Sequence, residues 1–449
     1  MKEKFCPSAE TVYGYLLLEL RGNREGCFCL QYKEETWLEG IEPDYMEEFV
    51  CTGTFCPDTC CQGWEIVIDE QTCERYRKVH DPEFKEMLSR AIVHRQEDTE
   101  NGLQDVACIR MGKGKRCLFL CNDGLCMIQR QTEEVNLSET CRTYPRVIYI
   151  WNEAYVERSL CVSCPEVARL VLSRQKPLQL VTKKIAATEL EGLRITDKGQ
   201  RLHSHCLPLR RLLIRILQDR KQALPVRLRQ ANAFFWQAGA VSGHHGERRF
   251  LQLAAEYEAQ LFESPGAEAP GAGELTDELA RRQLTAIGRL LFQRRQNPAL
   301  RAVFRENLDR AIKRWQLAAD GSPSEQGLLQ YKEDRELYQL FFLPQYASMW
   351  ENYFVNEVFK NIFITEEKEE FYRQWVYLLL QFFIARAQVM AALAAAPGEL
   401  PESMVIEIVR LNAREVGHDS MYLQQGLELF AVNAAEEESL QEFCHLLLQ

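Results

Sequence analysis

Cysteine is almost missing from most of this 449-residue chain: of 17 cysteines, only Cys206 and Cys444 follow Cys164. A disulfide-stapled secreted protein would be small or would spread its bridges along its length, and an odd total leaves a thiol over. Basic charge is also short, with 54 Lys and Arg against 65 Asp and Glu and a net charge of −11. A general nucleic-acid binder needs a basic footprint, so that class is excluded. The one local exception is residues 210–229, with seven basic side chains against Asp219, which leaves a local anionic partner open but reads first as a solvated helix face.

No long hydrophobic run is free of charge. Residues 12–20, "VYGYLLLEL", carry Glu19 and lead into Arg21 and Arg24 without a small-residue cleavage site, so no secretory signal is expected. Residues 375–396, "WVYLLLQFFIARAQVMAALAAA", contain Gln381, Arg386 and Gln388, and a charge at mid-span is expensive in lipid. The segment is expected to be a buried helix, and the protein cytoplasmic, with neither a membrane nor a nucleic acid as partner. Other signatures are lacking too. There is no Ser-His-Asp set, no P-loop and no internal repeat. The nearest glycine-rich turn, "MGKGKRC" at 111–117, lacks the context of a donor-binding turn and reads as a surface turn. The histidines of "HSHC" (203–206) and "GHH" (243–245) have no partner at ligand spacing.

What remains is a chain of ordinary globular composition, 46% hydrophobic and 27% charged, long enough to bury a core without staples. Its thiols crowd one end. Residues 51–69, "CTGTFCPDTCCQGWEIVID", hold Cys51, Cys56, Cys60 and Cys61; "RCLFLCNDGLC" holds Cys117, Cys121 and Cys126; Cys141 follows in "ETCRTYPR", and Cys161 and Cys164 in "LCVSCPE". Such clustering favours metal ligation. Zinc usually takes paired C-x2-C knuckles, and Cys161/Cys164 is the one such pair. An iron–sulfur cluster draws cysteines from scattered loops and often has a ligand before proline, as at Cys56-Pro57 and Cys164-Pro165. The residues rank iron–sulfur first, zinc second and no metal third. The C-x3-C-x2-C motif of radical enzymes fails twice at its third cysteine, at Gly63 and Gly124. Cys6, Cys27, Cys29, Cys73 and Cys108 read as plain buried thiols.

The expected fold is mainly α: a small cysteine-rich module with short strands packed on a larger helical body. Residues 1–45 read as an unplaced leader and 46–175 as the cysteine-rich domain, with strand-like "WEIVID" and "RVIYIW". Residues 176–449 read as helical. Leu209, Leu212, Leu213, Ile216 and Leu217 fall on one helix face, and Leu284, Ile287, Gly288 and Leu291 repeat the spacing. Residues 337–364 are aromatic and helical, and 263–275 and 319–327 read as exposed linkers.

Quoted in order, "YMEEFVCTGTFCPDTCCQGWEIVID", "RCLFLCNDGLCMIQ", "LSETCRTYPR" and "ERSLCVSCPEVARL" resemble the flagellin lysine-N-methylase family, related to the cysteine-cluster family of CxxCxxCC type. The resemblance covers residues 43–235 by motif, more weakly at 207–234. It implies a cytoplasmic enzyme that methylates lysine ε-amines of flagellin with S-adenosylmethionine and is associated with a [4Fe-4S] cluster. Carried over residue by residue, the family's cysteine pattern falls on Cys51, Cys56, Cys60, Cys61, Cys117, Cys126, Cys141 and Cys164. Eight is too many for one cluster, so some are structural thiols or a second metal is present. Cys121 and Cys161 are extra.

The chemistry requires a lysine amine, of pKa about 10.4, to lose its proton before it attacks a methyl sulfonium. Arg142 and Arg146 are candidates to hold the donor's carboxylate, and Tyr144, with Tyr149, Trp151 and Tyr155, to face its sulfonium; the competing reading is a strand with core aromatics. Asp58 and Asp69 are candidate bases or simply turn residues. Two other functions fit the thiols alone: a non-catalytic metal-binding adaptor, and a thiol redox protein hinted at by Cys161-x-x-Cys164.

Overall fold

Alternating apolar residues and turn signals build two sheets before residue 200. The computed structural model describes residues 21–22, 27–29, 36–99, 102–132, 134–151, 155–191, 193, 195–197, 203–241, 246–259, 275–362, 368–396, 400–428 and 437–448. The strands are β1 (Arg21–Gly22), β2 (Cys27–Cys29), β3 (Trp37–Pro43), β4 (Ile66–Ile68), β5 (Ile92–Thr99), β6 (Gly102–Ile109), β7 (Arg146–Trp151), β8 (Tyr155–Leu160), β9 (Leu180–Ala186) and β10 (Ile195–Asp197). β4, β6 and β5 form a small antiparallel sheet, while the others form a seven-stranded sheet in the order β1-β2-β10-β7-β8-β3-β9.

That larger sheet crosses both expected domain boundaries. β3 pairs in parallel with β8 and antiparallel with β9, so residues 37–43, placed in the leader, and 180–186, placed in the helical part, share one sheet with "RVIYIW". Strand pairing joins segments far apart in sequence, and composition shifts do not report it. Cys6 lies outside the described residues, while Cys27 and Cys29 lie on β2.

The small sheet carries its own core. Ile66 and Ile68 of β4 point inward while Val67 faces out, the period-two pattern of a half-buried strand. Helix α1 (Glu70–Arg77) is capped by Asp69, whose carboxylate accepts from the Thr72 amide at 2.8 Å. Helix α2 (Pro82–Ala91) is capped by Asp81 with proline in its first turn. Asp69 also accepts from the Glu139 amide at 3.0 Å, tying in α4 (Glu139–Thr143) after α3 (Met127–Thr132). Asp69 is therefore a cap. Phe84, Phe119, Leu88 and Ile128 fill the space, and each such buried side chain stabilises by roughly 1.5–3 kcal/mol. Buried Cys117 belongs to this core, and Cys61, Cys73, Cys126 and Cys141 pack against it; Cys108 is buried on β6.

Helix α5 (Pro165–Leu172) leads to the body: α6 (His203–Gln218), α7 (Leu224–Val241), α8 (Gly246–Glu258), α9 (Asp277–Arg295), α10 (Ala302–Arg314), α11 (Glu325–Leu337), α12 (Leu343–Asn361), α13 (Lys368–Ala395), α14 (Glu402–Glu415), α15 (Ser420–Glu428) and α16 (Glu437–Leu448). The chain is mainly α, as its periodicity predicts. The five leucines and isoleucines on one face of α6 are all buried, as are Leu284, Ile287 and Leu291 of α9. A π-helical turn, Tyr338–Phe342, joins α11 to α12 inside the aromatic 337–364 stretch.

Helix α13 is the axis of the body and packs on α7, α9, α10, α11, α14 and α16. It is long and apolar enough to cross a membrane, yet 83% of its most apolar window is buried inside the protein. Its polar residues are accommodated locally: Gln388 donates to Ile384 O at 3.1 Å, and Arg386 lies 4.8 Å from the Phe383 ring centroid. Trp375 stacks on Phe235 of α7 at 4.6 Å, and its indole N–H donates to Asn232 Oδ1 at 3.0 Å.

Two expectations are corrected here. Residues 319–324 are a tight turn packed on α9, and 325–327 open α11; Gly321 takes φ +85° and a Cβ on Gly288 would meet the Gly321 carbonyl at 2.3 Å. A glycine–proline–serine composition marks a turn as readily as a linker. The basic run 210–229 is not a solvated face throughout. Arg210 is fully buried against Glu157, and Arg227 sits 2.7 Å from buried Glu351, which also takes Arg220 at 2.8 Å. The anionic partners are the protein's own carboxylates. The other expected linker, 263–275, lies outside the described residues up to 274.

Candidate functional site

From Cys51 to Cys164 every cysteine is a free thiol. Among the described residues, no three His, Cys, Asp or Glu side chains gather closely enough to hold one metal ion. The thiols do sort into neighbourhoods. Cys60, Cys117, Cys126 and Cys141 lie within each other's electrostatic reach, with Cys121 beside Cys126. The backbone holds them there: the Cys117 amide donates to Cys61 O at 2.8 Å, and Leu120 bridges to Cys126. Burial pushes the Cys141 thiol up to about 12 and Cys117 up to about 11. Cys60 is raised first by its hydrogen bond with adjacent Cys61 and then by burial. Cys51, Cys56 and Cys164 form a second neighbourhood, where Cys164 is pushed by burial up to about 11 and stands at the N-cap position of α5. Cys161 is buried apart from both, near Lys360 and Glu357. Soft, free, clustered thiols are the donor set that an iron–sulfur cluster or zinc takes, so the residues fit such a group by their chemistry.

The turn of the motif "CPDTCC" is gripped by the body. Asp58 Oδ2 receives Arg410 Nη1 at 2.8 Å and Arg414 Nη1 at 3.2 Å, both from α14, and Oδ1 receives Arg301 Nη2 at 3.4 Å from the start of α10. Arg414 also donates to Thr59 O at 2.7 Å, and to Gln62 O. Burial alone would raise the Asp58 carboxyl, but the guanidiniums of Arg414, Arg410 and Arg301 outweigh it and hold it below the usual carboxylate range. Asp58 is thus an ionised anchor rather than a base. Glu407 takes the other face of Arg410 at 2.6 Å, and Glu415 takes Arg301 at 2.9 Å.

Beside this anchor, at the seam between lobe and body, Trp64 meets the Tyr144 ring edge-on at 4.6 Å and His418 at 5.6 Å, while Arg414 lies 5.2 Å from its centroid. Of the residues singled out for the donor, Tyr144 comes to this seam. Arg142 stays on α4, and Arg146 lies 5.5 Å over Phe49. Trp151 is fully buried in the main core, with Tyr149 and Tyr155 packed against it. Trp64, Ser163, Arg301, Arg410, Arg414 and His418 carry no local sequence signal; the only hint was the acid inside the cysteine motif, which needs a cationic partner once buried. A cleft of about 610 Å³ lies elsewhere, lined by Gln175, Arg220, Gln345, Ser348 and Glu351 among others, and no thiol or seam residue borders it.

A thiol-rich lobe clamped by arginines onto a helical body defines the class: a cysteine-cluster protein whose two parts are built as one unit. Residues 210–443 match the FliB lysine N-methylase C-terminal domain, and the chain belongs to that family. It is 29% identical over 143 residues to the "Flagellar biosynthetic protein FliU" of Salmonella muenchen, covering 32% of this chain and 82% of that protein. It is 28% identical over 169 residues to proteins named "Lysine-N-methylase" from Salmonella typhimurium and Salmonella choleraesuis, covering 37% of this chain and 41% of each. The match thus spans less than half of either lysine N-methylase. No solved structure matches.

Proposed function

We propose that the protein is a cytoplasmic protein-lysine N-methyltransferase that methylates flagellin with S-adenosylmethionine, its lobe holding an iron–sulfur cluster. The carrying observation is that Arg301, Arg410 and Arg414, which grip the "CPDTCC" turn, all lie within the matched domain. The family domain is thereby built around the thiol lobe, so the two act as one catalytic unit. In the transfer, the neutral lysine nitrogen attacks the methyl carbon of the sulfonium; the C–N bond forms as the S–C bond breaks, and the sulfur leaves as a neutral thioether. Holding the two partners in line is the main task.

Cys60, Cys117, Cys126 and Cys141 are the residues proposed to hold the cluster. When bound, it supplies a Lewis-acidic, redox-active centre. Zinc is the alternative on the same thiols.

Anaerobic purification followed by iron, sulfide and zinc analysis of the same sample tests the cofactor. Mass spectrometry of flagellin incubated with the protein and S-adenosylmethionine tests the activity. Methylated lysines that appear only when both are present support the reading, and unmodified flagellin sinks it.

A further inference from the structure

The seam carries a hydrogen-bonded row that the thiols do not use. His418, just beyond α14, lies with Nε2 2.9 Å from Ser163 Oγ, and Ser163 Oγ lies 3.1 Å from the Tyr144 hydroxyl. Ser163 is fully buried and its carbonyl takes Arg410 Nη1 at 3.3 Å, so the centre of the row is fixed. His418 is different. Protein atoms crowd its ring, yet the residue is exposed to solvent. Its Nδ1 makes no hydrogen bond among the described residues.

We propose that His418 is the general base of the methyl transfer, its Nε2–H donating to Ser163 and its Nδ1 facing outward to take a proton from the substrate lysine. This rests on the methylase reading above. The proton leaves the ε-ammonium for Nδ1, the freed amine lone pair forms the C–N bond with the methyl group of the sulfonium, and the S–C electrons return to sulfur. The imidazolium then loses its proton to solvent through the same exposed edge.

Ser163 is a positioning residue. By accepting from Nε2–H and donating onward to Tyr144, it selects the tautomer that leaves Nδ1 basic. The electrostatics agree with this. The charged groups that act on His418 are Lys360 from α12, itself paired with Glu357, and Arg414 from α14, paired with Asp58, and the Trp64 ring packs against it. Crowding by protein, then the Lys360 and Arg414 cations, hold the imidazole below its ordinary value, so it is neutral at pH 7 with a free lone pair, though a weaker base than a solvated imidazole. The same two cations disfavour a substrate ammonium brought beside them and equally the imidazolium that forms, so the proton passes on to solvent.

The test compares the wild-type protein with His418→Ala, His418→Gln and Ser163→Ala on flagellin with S-adenosylmethionine across pH. His418→Ala is expected to lower kcat by about 100-fold or more with little change in donor affinity, and added imidazole to restore part of the rate. The rate that remains should keep rising with pH toward the lysine's own pKa. Ser163→Ala should lose part of kcat and respond little to imidazole, because the base is present but unfixed. His418→Gln keeps a partner for Ser163 without a basic nitrogen, so it should match the alanine variant in rate while folding as wild type. A His418→Ala protein within threefold of wild type, or one whose loss tracks lost donor binding and is not rescued, overturns the proposal. Wild-type protein that leaves flagellin unmethylated fails the methylase reading itself, a separate result.

Discussion

Arg410 Nη1 lies 2.8 Å from Asp58 Oδ2, across 352 positions of sequence. That contact joins the thiol motif to the helix that precedes His418, and it makes the lobe's position depend on charge. Arg410 and Arg414 are themselves almost fully buried, and the carboxylate between them compensates both, with Glu407 as a second partner of Arg410.

Asp58→Asn should therefore destabilise the protein by about 3–5 kcal/mol, because it removes the shared carboxylate of a buried charge network and leaves buried Arg414 without its ion-pair partner, while Arg410 and Arg301 keep Glu407 and Glu415. Urea unfolding checks the size, and limited proteolysis of the lobe checks that undocking is the cause.

The same pair sets an acid limit. The folded carboxyl of Asp58 is depressed, so its stabilisation is present above the unfolded value of about 3.9 and is lost as pH falls through the folded value. The gap in unfolding midpoint between wild type and Asp58→Asn should be full near neutral pH and close in acid. A gap that widens on acidification would refute this assignment.

Metal content should follow the thiol neighbourhoods. Serine at Cys117, Cys126 or Cys141 should strip iron and sulfide from anaerobically purified protein while the helical circular dichroism persists. Cys108→Ala, at a strand position buried on β6, should keep the metal and cost less than about 2 kcal/mol. Equal metal loss in all four would mean that the lobe's fold, not ligation, is being read.

Gly288→Ala should drive α9 away from the 319–324 turn, since the new Cβ would sit 2.3 Å from the Gly321 carbonyl oxygen and one of the two backbones must shift. Overpacking of this kind costs roughly 1–3 kcal/mol. The midpoint in urea measures it, and iron content should stay unchanged.

Arg210→Met strands Glu157, which is buried on β8, and also removes the donor to Phe359 O at 2.8 Å. A loss of about 3–5 kcal/mol is expected, and the double replacement with Glu157→Met should recover most of it. A double mutant as unstable as the single would place the effect in packing rather than charge.

The sequence by itself determined the class of fold, because helix periodicity and strand alternation are local: α6, α9, β4 and β7 lie where their patterns put them. It also identified the lobe, since soft ligands crowded into short spans are visible without coordinates. Only the tertiary structure decided that residues 37–43 and 180–186 share a sheet with the cysteine-rich part, that Asp58 is an anchor, and that the thiols separate into neighbourhoods. His418, Ser163 and Tyr144 come together from three distant segments, each ordinary in its own surroundings. Contacts of that kind are set by how α14 and α5 pack on the lobe, and packing between remote segments leaves no periodic trace in either one.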